Sequence, residues 1–351
     1  MFEKIPLLKP LAALVFLILL DTIIIPGFIR MEVKDGQLYG SVIDILNRAA
    51  PLIITSLGLT LVIATRGIDI SVGAVAAISG TVAVLLFSET ISDNVSALHF
   101  TAKSPLFWAI FFAIGCAILC GIWNGLLVIA LGLQPIIATM ILMVGGRGLA
   151  QLLTDGQIQS VAYQPFFFLG SGYFLGLPFS LYIVAVVFVA LTLLIRKTAL
   201  GLFIQTIGIN PVAARLVGIR AALLIVFAYV LCSLCAGLAG VLICSNIKSA
   251  DANNIGLLLE LDAILAVTLG GTSLDGGKFS LMGSVIGALI IQTLTYTIYS
   301  LGAAPELNMI IKAIVVVVVC VSQSSELKPI WCEVRSLFNA APVKKSASTR
   351  L

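Results

Sequence analysis

Charged residues are scarce in this chain, and histidine is almost absent. Of the 351 residues, 10% are charged and one, His99, is a histidine, whereas 60% are hydrophobic and the mean hydropathy is +1.17. These proportions exclude an ordinary soluble domain. The net charge of +4 is small and lies mainly in loops and in the last residues. It therefore indicates membrane topology and not nucleic-acid binding.

The chain also lacks motifs for hydrolysis and for ATP binding, such as His-Glu-x-x-His or Gly-x-Ser-x-Gly. The glycine-rich stretch 270–278 resembles a phosphate-binding loop, but Gly271 and Gly277 are six positions apart where that loop has five. Phe279 stands where a magnesium-binding hydroxyl would be needed. An ATP-driven process would require an ATPase on another chain. The stretch itself is either a close-packed re-entry or a flexible glycine turn.

The seven cysteines predict neither disulfides nor a metal site. Almost all lie in apolar segments, where a free thiol behaves as a small hydrophobic side chain. Cys232 and Cys235 form a CxxC pair, but inside a helix-like run and without a second pair, which favours packing over a redox or zinc role. We expect no cofactor and no metal.

Ten apolar segments account for most of the chain, and several reach the roughly 20 residues that a helix needs to cross a bilayer. The predicted fold class is all-α: a polytopic integral membrane bundle of about ten transmembrane segments with a cytoplasmic coupling helix. The eighth segment is too short to span, which indicates a half-helix or a re-entrant segment. The segments are 11–29, 49–65, 71–87, 106–131, 135–153, 179–195, 221–245, 261–271, 281–300 and 309–322.

Lysine and arginine are concentrated in alternate loops, among them the turn at Arg66, residues 196–220 and the stretch after residue 326. Basic loops lie preferentially on the cytoplasmic side. With an even number of crossings, this distribution places both termini in the cytoplasm. We expect residues 1–325 to form the transmembrane domain and residues 326–351 to form a flexible cytoplasmic tail.

The stretch 198–220 is a water-exposed break between apolar segments. Asn210 followed by Pro211 is typical of an N-cap and first turn, and Gly218 is a natural stop, so a short interfacial helix is predicted between them. We expect its apolar side to rest on the bundle while Arg215 faces a partner. That apolar side comprises Val212, Leu216 and Ile219.

Polar side chains inside apolar segments are costly to bury, so each is a candidate for contact with a transported solute. Asp21 and Arg147 could pair with each other or make polar contacts inside the bundle. Amides suit an uncharged, hydroxyl-rich solute, although an interhelical hydrogen bond is the plainer alternative. The candidate pathway residues are Asp21, Asn124, Arg147, Gln151 and Gln292.

Four motifs, taken together and in this order, resemble the permease subunits of ribose/galactose-type bacterial ABC sugar importers. They are Leu-Val-Ile-Ala-Thr-Arg-Gly-Ile-Asp-Ile-Ser-Val-Gly at 61–73, Gly-Ile-Trp-Asn-Gly at 121–125, Gly-Ile-Asn-Pro-Val-Ala-Ala-Arg-Leu-Val-Gly-Ile at 208–219, and Leu-Gly-Gly-Thr-Ser-Leu-Asp-Gly-Gly at 269–277. A narrower resemblance, to galactofuranose importer permeases, is carried by residues 44–51, 250–256 and 259–263. The chain departs from the family at Arg66, where relatives often have glycine; Arg66 could pair with Asp69 or face water.

The resemblance implies a transporter subunit of the bacterial inner membrane, not an enzyme, that moves a monosaccharide, with galactofuranose as the narrower expectation. It implies several partners: an ABC ATPase with two fused cassettes, a second permease that is a paralogue or the same chain, a periplasmic sugar-binding protein, and membrane lipid. It also implies that residues 208–219 form the ATPase-coupling helix, through Gly208, Asn210, Pro211, Ala213, Ala214, Arg215 and Gly218. The alternative, an ion-coupled secondary sugar transporter, would need a titrating carboxylate such as Asp21.

Overall fold

A computed structural model describes residues 7–34, 36–87, 105–302, 307 and 310–314. His99 and the predicted tail 326–351 lie outside the described residues, as does most of the predicted tenth segment 309–322. The chain divides into two units, Met1–Leu301 and Gly302–Leu351. The helices and strands given below all belong to the first unit.

Twelve helices lie in the described part of the first unit. They are α1 Leu8–Ile24, α2 Ser41–Ala64, α3 Val72–Phe87, α4 Leu106–Ile129, α5 Pro135–Leu153, α6 Gln164–Ser171, α7 Phe179–Lys197, α8 Leu200–Ile209, α9 Pro211–Leu216, α10 Ala221–Ile247, α11 Leu259–Leu269 and α12 Leu281–Ser300. The predicted fifth and ninth segments coincide with α5 and α12, while α6 was not predicted. Helix α2 begins eight residues before the predicted second segment 49–65 and includes Asp44 and Arg48, which form an ion pair.

Six short strands form three two-stranded antiparallel sheets in the loops. Strand β1 (Glu32–Lys34) pairs with β2 (Gln37–Tyr39), and β4 (Tyr173–Phe174) pairs with β5 (Leu177–Pro178). The third sheet joins β3 (Gln159–Ser160), which follows α5, to β6 (Ser249–Ala250), which follows α10. These sheets tie loops together without forming a layer of their own, so the fold is an all-α bundle.

The helices divide into an inner and an outer set. Of the described helices, six are long and apolar enough to cross a membrane; α2 and α12 are largely buried and α10 is half buried, whereas only about a fifth of each of α4, α5 and α7 is buried. Exposed apolar helices of this length suit contact with lipid hydrocarbon. The structure thus confirms a helical membrane bundle, but it does not confirm ten spans.

Helix α10 lies at the centre, packed against α2, α3 and α4. Small residues bring these helices close together, as is typical inside membranes. A Cβ atom built on Gly58 of α2 would lie 2.9 Å from the Cα atom of Cys232, and one built on Gly240 would collide with the backbone of Ala76 in α3. Larger side chains at these contacts would force the inner helices apart.

Two of the helices are short and follow irregular backbone. Helix α3 follows the irregular segment 65–71, and α11, which is the predicted short eighth segment, follows residues 251–258. The two helix starts touch, since a Cβ atom built on Gly256 would lie 2.8 Å from the carbonyl oxygen of Gly73. Irregular backbone inside a membrane protein needs polar partners for its carbonyl and amide groups.

Candidate functional site: the α9 end and the interrupted helices

Helix α9 begins as the sequence predicts. The side-chain Oδ1 of Asn210 accepts hydrogen bonds from the backbone N–H groups of Val212 and Ala213, both at 3.0 Å. Pro211 occupies the first turn, where its missing N–H costs nothing. After Leu216 the chain turns at Gly218, whose φ of 83° is readily adopted by glycine.

Of the three residues predicted to rest on the bundle, Ile219 packs against the buried cluster that contains Ala214, but Val212 and Leu216 do not, contrary to the prediction. Val212 is 65% exposed, Leu216 83% and Val217 73%, whereas Ala214 is fully buried. Ala214 packs with Ile207 of α8 and thereby anchors the helix. The prediction was wrong because six residues bury only one narrow stripe, and alanine, not valine or leucine, occupies that stripe. Arg215 and Ala213 are exposed, as predicted for a surface that meets a partner.

Gly208 holds the end of α8 against two other parts of the chain. A Cβ atom built on Gly208 would collide with the carbonyl oxygen of Ala64 and the amide nitrogen of Gly277. The N–H group of Gly277 donates to the carbonyl of Ala64 at 2.9 Å. The glycine-rich loop 270–278 is therefore closely packed and not a free glycine turn.

Arg66 is exposed, but it does not simply face water. Its guanidinium does not pair with Asp69 but donates to the backbone carbonyls of Gly208, Ile209 and Asp275. These contacts join the last residue pair of α8 to the glycine-rich loop. These contacts are not evident from the sequence, because the partners lie 142 or more residues away along the chain.

Asn124 belongs to a buried polar chain and not to an open surface. Its Nδ2 donates to Ser71 Oγ at 2.8 Å, and the hydroxyl of Ser71 donates to Asp69 Oδ1 at 2.6 Å. The backbone N–H of Ser71 donates to the same Asp69 oxygen. These hydrogen bonds hold the segment before α3 against α4. For Asn124, the structure therefore favours a hydrogen bond between helix segments over contact with a solute.

Arg147 of α5 holds the irregular backbone before α11. Its Nη1 donates to the carbonyls of Ala252, Asn253 and Ile255 at 3.0–3.3 Å, and Nη2 donates to Gly256 at 3.4 Å. We call Arg147 and these carbonyl groups the Arg147 clamp. Carbonyl oxygens that a helix would have paired internally are satisfied here by one guanidinium group.

Glu260 lies beside the Arg147 clamp, in the first turn of α11. It is buried, and its Oε2 atom has no hydrogen-bond partner among the residues that the structure describes. A Cβ atom built on Gly73 would meet this oxygen and would lie 3.4 Å from Arg147 Nη2. A carboxyl group and a guanidinium group therefore both lie at the contact between the starts of α3 and α11.

The predicted pathway residues do not form one cluster. Gln151 lies one helical turn beyond Arg147 and donates to Asn253 Oδ1 at 2.6 Å, so these two candidates share one segment. Asp21 accepts from Thr297 Oγ1 at 2.7 Å, which links α1 to α12 and leaves no mutual pair with Arg147. Gln292 is half-buried in α12.

Within residues 7–34, 36–87, 105–302, 307 and 310–314, no group of three or more His, Cys, Asp or Glu side chains is arranged to hold a metal. Cys232 and Cys235 are buried, free thiols on α10 and take part in helix packing.

Comparison with known proteins agrees with the motifs. The family described as "Branched-chain amino acid transport system / permease component" matches residues 41–320. The galactofuranose transporter permease protein YtfT of Escherichia coli (strain K12) is 46% identical over 93% of this chain and 92% of its own. The fructose import permease protein FruF of Bifidobacterium longum (strain NCC 2705) is 36% identical over 90% and 87%, respectively. The ribose import permease protein RbsC of Escherichia coli (strain K12) is 35% identical over 88% and 90%.

No solved structure matches the chain. The family match covers more than half of the chain, and the three relatives are all sugar permeases that align over nearly their full lengths. This chain therefore belongs to the branched-chain amino acid transport system / permease component family, as a permease subunit of the ABC sugar-importer type.

Proposed function

We propose that the chain carries galactofuranose, or a closely similar monosaccharide, across the bacterial inner membrane as the non-hydrolysing subunit of an ABC importer. The observation that carries this proposal is the 46% identity to the Escherichia coli galactofuranose permease over almost the whole chain. The working complex would contain a separate ATPase with fused cassettes, a second permease and a periplasmic sugar-binding protein. In this arrangement both termini lie in the cytoplasm.

The exposed apolar surface of α9 supports the docking of an ATPase. Val212, Leu216 and Val217 expose apolar area outside the helices that are long enough to cross a membrane. Contiguous exposed apolar residues of this kind mark interaction surfaces. Arg215, next to Leu216, adds a positive charge that can pair with an acidic group on the partner.

The Arg147 clamp supports a sugar path along one side of α5. Interrupted helices that meet inside a bundle are a common location for transport sites. Asn253 and Asn254 are exposed beside the clamp, and Gln151 hydrogen-bonds to Asn253. Amides present both donors and acceptors to sugar hydroxyls. Asn124, Asp21 and Gln292 contribute to this path less directly, through the packing of the surrounding helices.

Reconstitution tests the proposal as a whole. The permease, its candidate ATPase, the second permease and the binding protein are incorporated into vesicles, and uptake of labelled galactofuranose is measured with and without ATP. Uptake that requires ATP supports an ABC importer. Loss of uptake when galactofuranose is replaced by ribose or fructose supports galactofuranose as the transported sugar. Uptake driven by a proton or sodium gradient without ATP contradicts it and favours the ion-coupled alternative.

Variants of α9 test its docking role. Leu216→Glu and Arg215→Glu place a negative charge on the exposed surface and should abolish sugar-stimulated ATPase activity while leaving the permease inserted. Thr198→Ala, at an exposed position outside α9, serves as the control and should leave the stimulated ATPase activity unchanged. Normal stimulated ATPase activity in both glutamate variants would contradict docking at α9.

A further inference from the structure

Arg66 occupies a backbone position that is usually reserved for glycine. The N–H group of Arg66 donates to the carbonyl of Ile63 at 2.9 Å, and that of Gly67 donates to Val62 at 3.0 Å, which closes the end of α2. The φ angle of Arg66 is 67°, in the left-handed region. Helices commonly end in this conformation with glycine, because a Cβ atom is unfavourable there. An arginine at this position therefore requires a compensating contribution from its side chain.

That contribution is a set of hydrogen bonds to three backbone carbonyls. Arg66 Nε donates to Gly208 at 2.6 Å and to Asp275 at 2.9 Å, while Nη2 donates to Ile209 at 2.8 Å. Ile209 directly precedes Asn210, the N-cap of α9. The guanidinium group thus holds the backbone immediately before the exposed helix.

The same place is closely packed, so a movement of one part must move the others. A Cβ atom built on Gly276 would lie 2.5 Å from Arg66 Cγ, and Gly208 has no space for a side chain between Ala64 and Gly277. We call Ala64, Arg66, Gly208, Ile209 and residues 275–277 the Arg66 joint. The joint connects the end of α2, the end of α8 and the loop that leads into α12.

We propose that Arg66 is a positioning residue that transmits movement of α9 to α2 and to the loop before α12. The inference depends on the proposed function, in which α9 receives force from an ATPase. Helices α2 and α12 are largely buried and pack against each other, so displacement at the joint reaches the centre of the bundle. A planar guanidinium with several fixed donors can hold three carbonyls at once, which an ammonium group on a flexible stem does less well.

The decisive variant is Arg66→Gly, because glycine keeps the left-handed turn and removes only the side chain. The reconstituted complex is assayed for ATPase association, for ATP hydrolysis and for sugar taken up per ATP. We expect the ATPase to copurify as with the unaltered protein, and the sugar-to-ATP ratio to fall about tenfold, within the range typical of coupling between sites. Arg66→Lys should give an intermediate ratio.

Arg48→Ala serves as the control, because Arg48 is an exposed arginine on α2, the helix that ends just before Arg66, and its partner is Asp44, near the start of α2. Its sugar-to-ATP ratio should not change. An unaltered ratio in Arg66→Gly would overturn the proposal, and so would a loss of ATPase association in that variant, since Arg66 would then belong to the docking surface. If the unaltered permease itself fails to associate with the ATPase, the proposed function fails instead.

Should Arg66→Gly fail to insert, Arg66→Lys decides the question by the same ratio. A reduced sugar-to-ATP ratio with normal ATPase association supports transmission through the guanidinium group. An unchanged sugar-to-ATP ratio in Arg66→Lys would then overturn the proposal that the guanidinium group is required, because the lysine retains the charge and loses only the planar set of donors.

Discussion

Arg147 and Arg66 make similar hydrogen bonds in two different settings. Both donate to backbone carbonyls of irregular segments, Arg147 to four of them and Arg66 to three. Arg147 projects from the middle of a long apolar helix and lies near the buried carboxylate of Glu260, whereas Arg66 is an exposed residue in a turn. The same chemistry should therefore serve stability in the first case and transmission of movement in the second.

The largest effect should come from Arg147→Leu. This change leaves four backbone carbonyls without a donor and removes the positive charge near the buried Glu260, and a hydrogen bond to a charged group typically contributes about 1.5–3 kcal/mol. We expect little folded protein, measured as the monodisperse fraction in size-exclusion chromatography after mild heating in detergent. Arg147→Lys should recover part of the fraction. Unaltered heat resistance in Arg147→Leu would contradict the stabilising role assigned to Arg147.

Arg66→Gly should behave differently in the same heating experiment. Glycine relieves a left-handed backbone conformation that costs a non-glycine residue about 1 kcal/mol or more, which offsets the loss of partly solvated hydrogen bonds. The apparent Tm should therefore stay close to that of the unaltered protein, although coupling is reduced. A loss of stability as large as that of Arg147→Leu would show that both arginines are chiefly structural.

Gln151→Ala tests whether the segment before α11 depends on Arg147 alone. The variant removes a hydrogen bond to Asn253, which is partly exposed to solvent, and a typical loss for one hydrogen bond is about 1 kcal/mol. The apparent Tm should fall measurably less than in Arg147→Leu. Gln151→Glu is the paired variant, because it keeps the length and the acceptor but removes the donor; a normal Tm in it would contradict a role for the donor.

The smallest effect should come from Asp44→Asn. The ion pair between Asp44 and Arg48 is solvent-exposed, and such pairs on a helix contribute about 0.3–0.5 kcal/mol. Neither heat resistance nor transport should change beyond experimental error. A marked loss of heat resistance would mean that an exposed ion pair stabilises this bundle as strongly as the buried contacts of Arg147 do.

Local features of the fold were predictable from sequence. The cap at Asn210, the first-turn Pro211 and the bounds of α5 and α12 depend on neighbours within a few residues, so the sequence contains the relevant information. The short eighth segment was correctly predicted because its apolar run is too brief to cross a bilayer. Helix α6 was missed because its run of phenylalanines is short and preceded by a proline.

The polar candidates were harder to predict. Asp21, Asn124 and Arg147 stand out in apolar segments, and each has a hydrogen-bond partner, but the partners are Thr297, Ser71 and a backbone segment near residue 254. Nothing in the chain near Asp21 indicates α12. Periodicity identifies which residues are costly to bury but not which distant group satisfies them.

By itself, the sequence determined that this protein is a helical membrane permease, where most of its helices begin and end, and that a capped helix interrupts them at residue 211. These properties follow from apolar length, local capping and motif order. Only the tertiary structure decided that Val212 and Leu216 face outward, and that Arg66 joins α8 to the loop before α12. The reason is physical: exposure and long-range hydrogen bonds depend on how the helices pack, and the joined residues are 142 and 209 positions apart.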